Sequence, residues 1–261
     1  MIKYQELFQR TFPGRLFGLY LVGSTALGAY REGKSDLDFI VVLNQELQPS
    51  EILQLVGIHR SIAKAFPGVL LEGSYLTPAQ LGKTGLTVPD YHDGRIKFKD
   101  INVITWFILK NYGIPLLGPA PRDLPFTVKT GQLHQYISQN LDSYWGKWLR
   151  GIRTPWTLTR FTGLFPQKIE WGVLGIARLY YTLRENDIVS KEQAGEYVLP
   201  LIPASFHRIG AEALRIRKNE RQTSWYSPWR RRQDAILFIE YMIKQCKNFF
   251  LKNHPLRISD R

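Results

Sequence analysis

The chain has 261 residues, enough for one large domain or two of ordinary size. Hydrophobic residues make up 44% of the sequence, which favours a substantial core and excludes an intrinsically disordered chain. Lys and Arg number 35 against 22 Asp and Glu, and the resulting charge of +13 favours anionic partners: nucleotide phosphates, nucleic acid or an anionic surface.

Cysteine usage and hydropathy indicate the cellular compartment of the protein. Cys246 is the single cysteine, which excludes an intrachain disulfide and a Cys-rich metal site and fits a reducing, cytoplasmic setting. Charges follow Met1 too soon for a signal peptide. No uninterrupted apolar run approaches the length that crosses a bilayer, so we expect a cytoplasmic protein without membrane association.

The first half of the chain alternates between helical and strand patterns. In chain order these fall at residues 4–11 (helix), 18–22 (strand), 36–42 (strand), 51–65 (helix), 69–76 (strand) and 101–111 (helix). Such alternation predicts an α/β domain: a small mixed sheet with flanking helices.

Two aspartates and a glycine turn are the most informative motif. Gly23-Ser24 ends the first apolar run, and Ser35-Asp36-Leu37-Asp38 opens the second. Asp36 and Asp38 are two residues apart, so in a strand they point to the same face, where a divalent cation with oxygen ligands would relieve their repulsion. The glycine turn can offer backbone N–H groups to a phosphate. The motif therefore predicts a site for a nucleoside triphosphate and its magnesium.

A third carboxylate follows on the next strand. Glu72 is the only charge in the run from Val69 to Leu76. A carboxylate in an apolar strand is costly without a partner, and a neighbouring metal site would supply one. The alternative is that Glu72 ends a strand and faces water.

The pattern changes after a proline- and glycine-rich break. Gly118-Pro119-Ala120-Pro121-Arg122 is the predicted boundary between domains at residues 1–122 and 123–261. The second domain is predicted to be an all-α helical bundle, with helices at residues 132–150, 170–184, 191–199, 206–218 and 231–247.

Two cations of this second half stand out. Arg178 lies in an apolar helical run, where an arginine needs an anionic partner. Ser190 and Gln193 form a capping-box pattern, which puts Lys191 at the first helical position, where the helix dipole disfavours a cation. Both residues are candidates for binding an anionic ligand; a helix carboxylate is the alternative partner for Arg178.

These motifs together resemble those of the aminoglycoside adenylyltransferases of the streptomycin/spectinomycin type, within the DNA polymerase β-like nucleotidyltransferases. The chain resembles most the little-characterised relatives that share the helical C-terminal domain. The similarity spans nearly the whole chain and includes the segments 23–24, 35–38, 71–72, 92–95, 103–106, 113–119, 169–175, 177–182, 190–191 and 195–197.

The resemblance implies a two-domain adenylyltransferase that holds ATP in the cleft closed by the helical domain and moves AMP to a hydroxyl. Asp36 and Asp38 would hold two Mg²⁺ ions, and Glu72 would be the general base. The nucleotide would be bound by residues of both domains: Gly23, Ser24, Ser35, Arg178, Lys191 and Arg217. Arg217 stands where the antibiotic enzymes have a tyrosine that packs on the nucleotide.

The acceptor is less clearly indicated. The resemblance favours an aminoglycoside or aminocyclitol and hence antibiotic resistance, with acceptor contacts from Glu170, Trp145, Trp171 and Asp93. However, residues 143–169 contain no acid and interleave Lys147, Arg150, Arg153, Arg160 and Lys168 with Trp145, Trp148 and Trp156. Such a surface should repel a polycation, so we expect a less charged drug such as spectinomycin, or an unrelated metabolite.

Two other functions stay open: nucleotidyl transfer to an RNA or protein acceptor, and a non-enzymatic nucleic-acid-binding protein on the same scaffold. Basic residues interleaved with tryptophan are compatible with either, or with core tryptophans beside a solvated basic face. The three carboxylates disfavour the non-enzymatic alternative. We expect a monomer.

Overall fold

The computed structural model describes residues 1–153, 164–221 and 225–253, which form two compact units, Met1–Lys129 and Thr130–Arg261. The boundary predicted at residues 122 and 123 lies inside the first unit. There Lys110 Nζ donates to the backbone carbonyls of Arg122 and Leu124, both at 2.7 Å, and the Leu124 side chain is buried. These contacts tie the segment to the helix that precedes it.

The first unit is built on a six-stranded mixed sheet of order β5-β4-β3-β2-β1-β6, in which only β2 and β3 are parallel. Its strands are β1 Leu16–Leu21, β2 Leu37–Leu43, β3 Leu71–Leu76, β4 Thr87–His92, β5 Arg95–Asp100 and β6 Ile114–Leu117. Its helices are α1 Ile2–Thr11, α2 Gly23–Ala26, α3 Pro49–Ala65 and α4 Val103–Tyr112. The predicted α/β class is confirmed.

One face of this sheet is apolar and packs on α1 and α3. Phe39 of β2 contacts Tyr4 of α1 with ring centroids 4.9 Å apart, and Tyr91 of β4 stacks on His59 of α3. His59 Nε2 is hydrogen-bonded to the Tyr75 hydroxyl at 2.6 Å, and burial lowers the pKa of His59 to about 3. Because side chains alternate along a strand, the residues next to these aromatics point to the opposite face.

The hairpin of β4 and β5 was not predicted from the sequence. Its two-residue turn, Asp93-Gly94, has positive φ at both positions, +49° and +76°, as a primed turn requires. β5 is an edge strand, and its cations Arg95, Lys97 and Lys99 are exposed.

The second unit is helical, as predicted. Its described helices are α5 Thr130–Asn140, α6 Gly146–Arg153, α7 Pro166–Glu185, α8 Lys191–Val198, α9 His207–Lys218 and α10 Pro228–Asn253. The apolar face of α7 lies in the core of the unit with α8, α9 and α10. The predicted capping box is present: the Ser190 hydroxyl accepts from the Gln193 N–H at 3.2 Å, and the Gln193 side chain accepts from the Ser190 N–H at 3.1 Å. Among the described residues, no helix is both long and apolar enough to cross a membrane.

The helix predicted at residues 132–150 is α5 and α6 joined by a π-helical turn, Leu141–Trp145. One extra residue in a helical turn rotates the apolar face. Here Leu141 and Trp145 both lie in the core of the unit.

Candidate active site

The glycine turn after β1 packs closely against the Asp38 side chain. Gly23 has φ +58°, and a Cβ atom built on it would lie 2.0 Å from Asp38 Oδ2. The Val22 N–H donates to the Asp38 carbonyl at 3.0 Å, and the Ser24 N–H donates to the Asp38 carboxylate. Only glycine permits this close approach, so residue 23 fixes the turn against the carboxylate.

The hydroxyls of this turn are compatible with a ligand. The Ser24 and Thr25 hydroxyl oxygens are buried and have no hydrogen-bond partner. A buried polar group without a partner costs about 1–3 kcal/mol, and a bound ligand is one way to satisfy it. Ser35, the other serine predicted to contact the triphosphate, accepts a hydrogen bond from the Arg31 N–H at 3.1 Å.

The structure brings the three predicted carboxylates together. Asp38 of β2 and Glu72 of β3 are register partners in the parallel pair, and Asp36 directly precedes β2. The pKa of Asp38 is raised to about 6, mainly by burial and then by the charges of Glu72 and Asp36, against the opposing effects of Lys99 and the Ser24 N–H. Burial is also the main cause that raises the pKa of Glu72.

This electrostatic arrangement fits a hard divalent cation. The clustered carboxylates repel one another at neutral pH, and carboxylate oxygens are ligands that Mg²⁺ accepts. Asp36 and Asp38 therefore fit the predicted role of metal ligands, although that role and the number of ions stay predictions.

A histidine that the sequence reading did not assign lies against Glu72. His92, the last residue of β4, has Nδ1 2.5 Å from Glu72 Oε1 and Nε2 3.1 Å from Asp93 Oδ2. Asp93 is itself largely exposed and was predicted to contact the acceptor. The Asp-Gly turn is a signal for the hairpin of β4 and β5. The contact of His92 with Glu72 depends in addition on the pairing of β3 with β4.

Ligand atoms of Glu72, His92 and Asp93 lie within 4.8 Å of one another, close enough to hold a metal ion. Nevertheless, 2.5 Å between His92 and Glu72 is shorter than the separation of about 3.3 Å that two ligands keep around a tetrahedral Zn²⁺. The contact is instead a direct imidazole–carboxylate pair, although Nδ1 makes no regular hydrogen bond in this geometry.

In the second unit, the cations predicted to bind the nucleotide gather around one carboxylate. Glu170 Oε1 lies 3.5 Å from Lys191 Nζ and 3.8 Å from an Arg217 nitrogen, ion pairs longer than hydrogen bonds. Burial lowers the pKa of Lys191; the charge of Glu170 opposes this, while Arg178 and Arg217 lower it further. Cations held this close to one another fit an anionic ligand. Glu170, predicted to contact the acceptor, is paired with Lys191 and Arg217, and its contact with the acceptor stays a prediction.

The described tryptophans of the basic stretch pack with one another. Trp145 and Trp171 are stacked with ring centroids 5.2 Å apart, and Trp148 adjoins both. Trp145 is only 4% exposed, so its burial does not favour the predicted acceptor contact or stacking on nucleic-acid bases. Trp156 and Arg160 lie outside the described residues.

Comparison with known proteins matches each unit to a family. Residues 2–87 match the nucleotidyltransferase domain family, and residues 162–245 match the family described as aminoglycoside adenylyltransferase, C-terminal domain. The two matches agree with the resemblance inferred from the sequence motifs.

Two related proteins match this chain over nearly its whole length. Spectinomycin 9-adenylyltransferase of Campylobacter jejuni is 22% identical over 260 residues, which cover 93% of this chain and 92% of that protein. The crystal structure of spectinomycin adenyltransferase AAD(9) from Enterococcus faecialis with ATP and spectinomycin is similar in fold, with a TM-score of 0.71 at 16% identity. That alignment covers 94% of this chain and 97% of the other. The chain is thus an aminoglycoside adenylyltransferase-like nucleotidyltransferase.

Proposed function

We propose that this aminoglycoside adenylyltransferase-like nucleotidyltransferase moves AMP from ATP to a hydroxyl of a small aminocyclitol acceptor. The observation that carries the proposal is the cluster of Asp36, Asp38 and Glu72 beside the Gly23 turn. It supplies both metal-ligating oxygens and a base at one end of β2 and β3. The relatives, one of them crystallised with ATP and spectinomycin, support the same chemistry.

The residues divide the chemistry between them. Glu72 takes the proton of the acceptor hydroxyl while that oxygen bonds to the α-phosphorus of ATP and the bond to pyrophosphate breaks. Asp36 and Asp38 would hold Mg²⁺, which when bound neutralises charge on the phosphate oxygens. A positioned base of this kind contributes typically about 10²–10⁴-fold to the rate.

The basic cluster of the second unit fits the nucleotide. Lys191, Arg178 and Arg217 influence one another through their charges around a single carboxylate, Glu170. A triphosphate carries enough negative charge to compete for these cations. We infer that Lys191 and Arg178 bind the phosphates and that Arg217 contacts the nucleotide beside them.

The acceptor is expected to carry little positive charge. Of the two acids that flank the acid-free stretch, Glu170 is paired with Lys191 and Arg217, and Asp142 is paired with Lys247 at 2.6 Å. In the ATP-free protein each of these acids already has a cationic partner, which opposes the binding of a polycation. Spectinomycin, the drug named for both relatives, fits better than streptomycin or a more cationic aminoglycoside.

The test is a pyrophosphate-release assay with Mg²⁺ and ATP across acceptors of graded charge, with adenylylated product identified by mass spectrometry. We expect turnover of spectinomycin, weak or no turnover of highly charged aminoglycosides, and turnover that is lower by about 10²–10⁴-fold in the Glu72→Gln variant. Transfer only to RNA or to a protein would replace the small-molecule assignment. Absence of transfer from ATP to every acceptor in the panel would refute the proposed function.

A further inference from the structure

We propose that His92 is a positioning residue for Glu72, anchored in turn by Asp93, so that Glu72–His92–Asp93 acts as one unit. The proposal deepens the proposed function, since it rests on Glu72 as the general base. The sequence motifs assign no role to His92.

The sheet register fixes the pair. Gly73 and Ser74 of β3 lie opposite Tyr91 and Asp90 of β4, and continuing this antiparallel register by one residue brings Glu72 opposite His92. Directly opposed side chains on one face of an antiparallel pair are about 4.5–5.5 Å apart at Cβ. The 2.5 Å contact between His92 Nδ1 and Glu72 Oε1 is therefore a cross-strand pair that the backbone itself holds in place.

The hairpin turn anchors the other side of the imidazole. His92 Nε2 lies 3.1 Å from Asp93 Oδ2, and Asp93 takes the left-handed backbone conformation of the turn at φ +49°. Asp and Asn tolerate that conformation better than other non-glycine residues. The carboxylate at residue 93 thus orients the ring so that Nδ1 faces Glu72, as a carboxylate orients the histidine of a catalytic triad.

The groups around Glu72 have opposing effects on the ionisation of its carboxylate. Asp36 and Asp38 face Glu72 from the β2 side, and His92 and Lys99 face it from β4 and β5. Burial and Asp36 raise the pKa of Glu72, whereas His92 and Lys99 lower it. Of His92 and Lys99, His92 is the residue that contacts the Glu72 carboxylate directly.

Two consequences for the reaction follow. A donor on Oε1 holds the plane of the carboxylate and leaves Oε2 to face the acceptor hydroxyl. The same donor favours the ionised form of Glu72, which is the form that can accept a proton. His92 itself needs no contact with either substrate.

The experiment compares His92→Ala with His92→Asn, because the asparagine amide can donate a hydrogen bond to Glu72 where the alanine cannot. For His92→Ala we expect kcat at neutral pH to fall about 10–100-fold, with KM for ATP changed by no more than about twofold. The acidic limb of its pH–rate profile should move to higher pH. His92→Asn should recover most of kcat above that limb, and Asp93→Asn should lie between wild type and His92→Ala.

Other outcomes would overturn the inference. If His92→Ala has the kcat of wild type and an unchanged acidic limb, the contact of His92 with Glu72 has no effect on the reaction. Equal losses in both His92 variants, together with a lower melting temperature, would make the residue structural. Calorimetric titration with Zn²⁺ separates a third case: tight binding that needs His92 and supports activity would make the trio a metal site.

The inference can fail independently of the proposed function. If wild-type protein adenylylates no acceptor, the pairing is still read from the imidazole ¹⁵N chemical shifts of His92 at one neutral pH. An Nδ1 shift that is the same in wild type and Glu72→Gln would sink the pairing whatever the reaction is. A different Nδ1 shift in Glu72→Gln would support it.

Discussion

Asp38 and Glu72 are register partners on the two parallel strands of the sheet, so the backbone holds two carboxylates side by side with Asp36 next to them. Side chains on such neighbouring strands cannot separate without breaking the ladder. Their repulsion is therefore part of the folded state and is relieved by a cation or by protonation.

Replacing Asp38 by Asn should separate activity from stability. The pKa of Asp38 is raised from 3.8 to about 6, so its protonation contributes stability that is fully present below pH 3.8 and lost as pH rises through about 6. We expect Asp38→Asn to stabilise the metal-free protein at pH 8 by roughly 1–2 kcal/mol, with little gain at pH 4, while Mg²⁺-dependent activity falls by orders of magnitude. Thermal unfolding at the two pH values checks this, and a loss of stability at pH 8 would contradict it.

Replacing Glu72 by Gln should remove the base and keep the shape. Turnover should fall by about 10²–10⁴-fold because no carboxylate takes the acceptor proton, while the dissociation constant for ATP stays within about threefold. Single-turnover kinetics and calorimetry measure the two quantities. A parallel loss of ATP binding and turnover would make Glu72 a metal ligand or a structural support.

Gly23→Ala tests the fit between the glycine turn and Asp38. A methyl group there would lie 2.0 Å from the Asp38 carboxylate, and φ is positive as well. Gly28→Ala is the matched control, since Gly28 has φ +65° but no atom within 4 Å of its added Cβ. We expect Gly28→Ala to cost about 1 kcal/mol of stability and Gly23→Ala clearly more, with loss of activity. Equal effects in urea unfolding and turnover would rule out the close approach as the reason for glycine.

Lys191→Ala tests the basic cluster around Glu170. Removing the Lys191 ammonium group relieves its repulsion with Arg178 and Arg217, so the melting temperature of the free protein should not fall. The dissociation constant for ATP should rise by about tenfold or more. Lys218→Ala is the control, because Lys218 pairs with the helix-surface acids Glu192 and Glu196. ATP binding that weakens equally in both variants, or in neither, would argue against Lys191 as a phosphate ligand.

The parts of the site that lie close together in sequence could be predicted from it. Gly23, Ser24, Asp36 and Asp38 belong to one strand–turn–strand motif, and Glu72 is a lone charge in an apolar strand. The structure brings the three acids together at one end of β2 and β3.

The hairpin that carries His92 could not be predicted in the same way. β4 contains Pro89, and β5 alternates cations with Ile96 and the exposed Phe98, so neither strand shows an apolar run. The contact of His92 with Glu72 depends on the pairing of β3 with β4, which no local pattern specifies. The partner of Lys191 was hidden for a similar reason, since Glu170 lies on another helix and their contact depends on how α7 and α8 pack.

The alternation of side chains along β2 links the folding of the first unit to the position of the Asp38 carboxylate. Phe39 points toward Tyr4 while its neighbour Asp38 points the other way. A slip of β2 by one residue would exchange the two, burying a carboxylate among aromatic rings and exposing a phenyl ring, and such a register would be strongly disfavoured. Chains that form the aromatic core therefore position the acid at the same moment, and a well-folded molecule with a misaligned acid should be very rare.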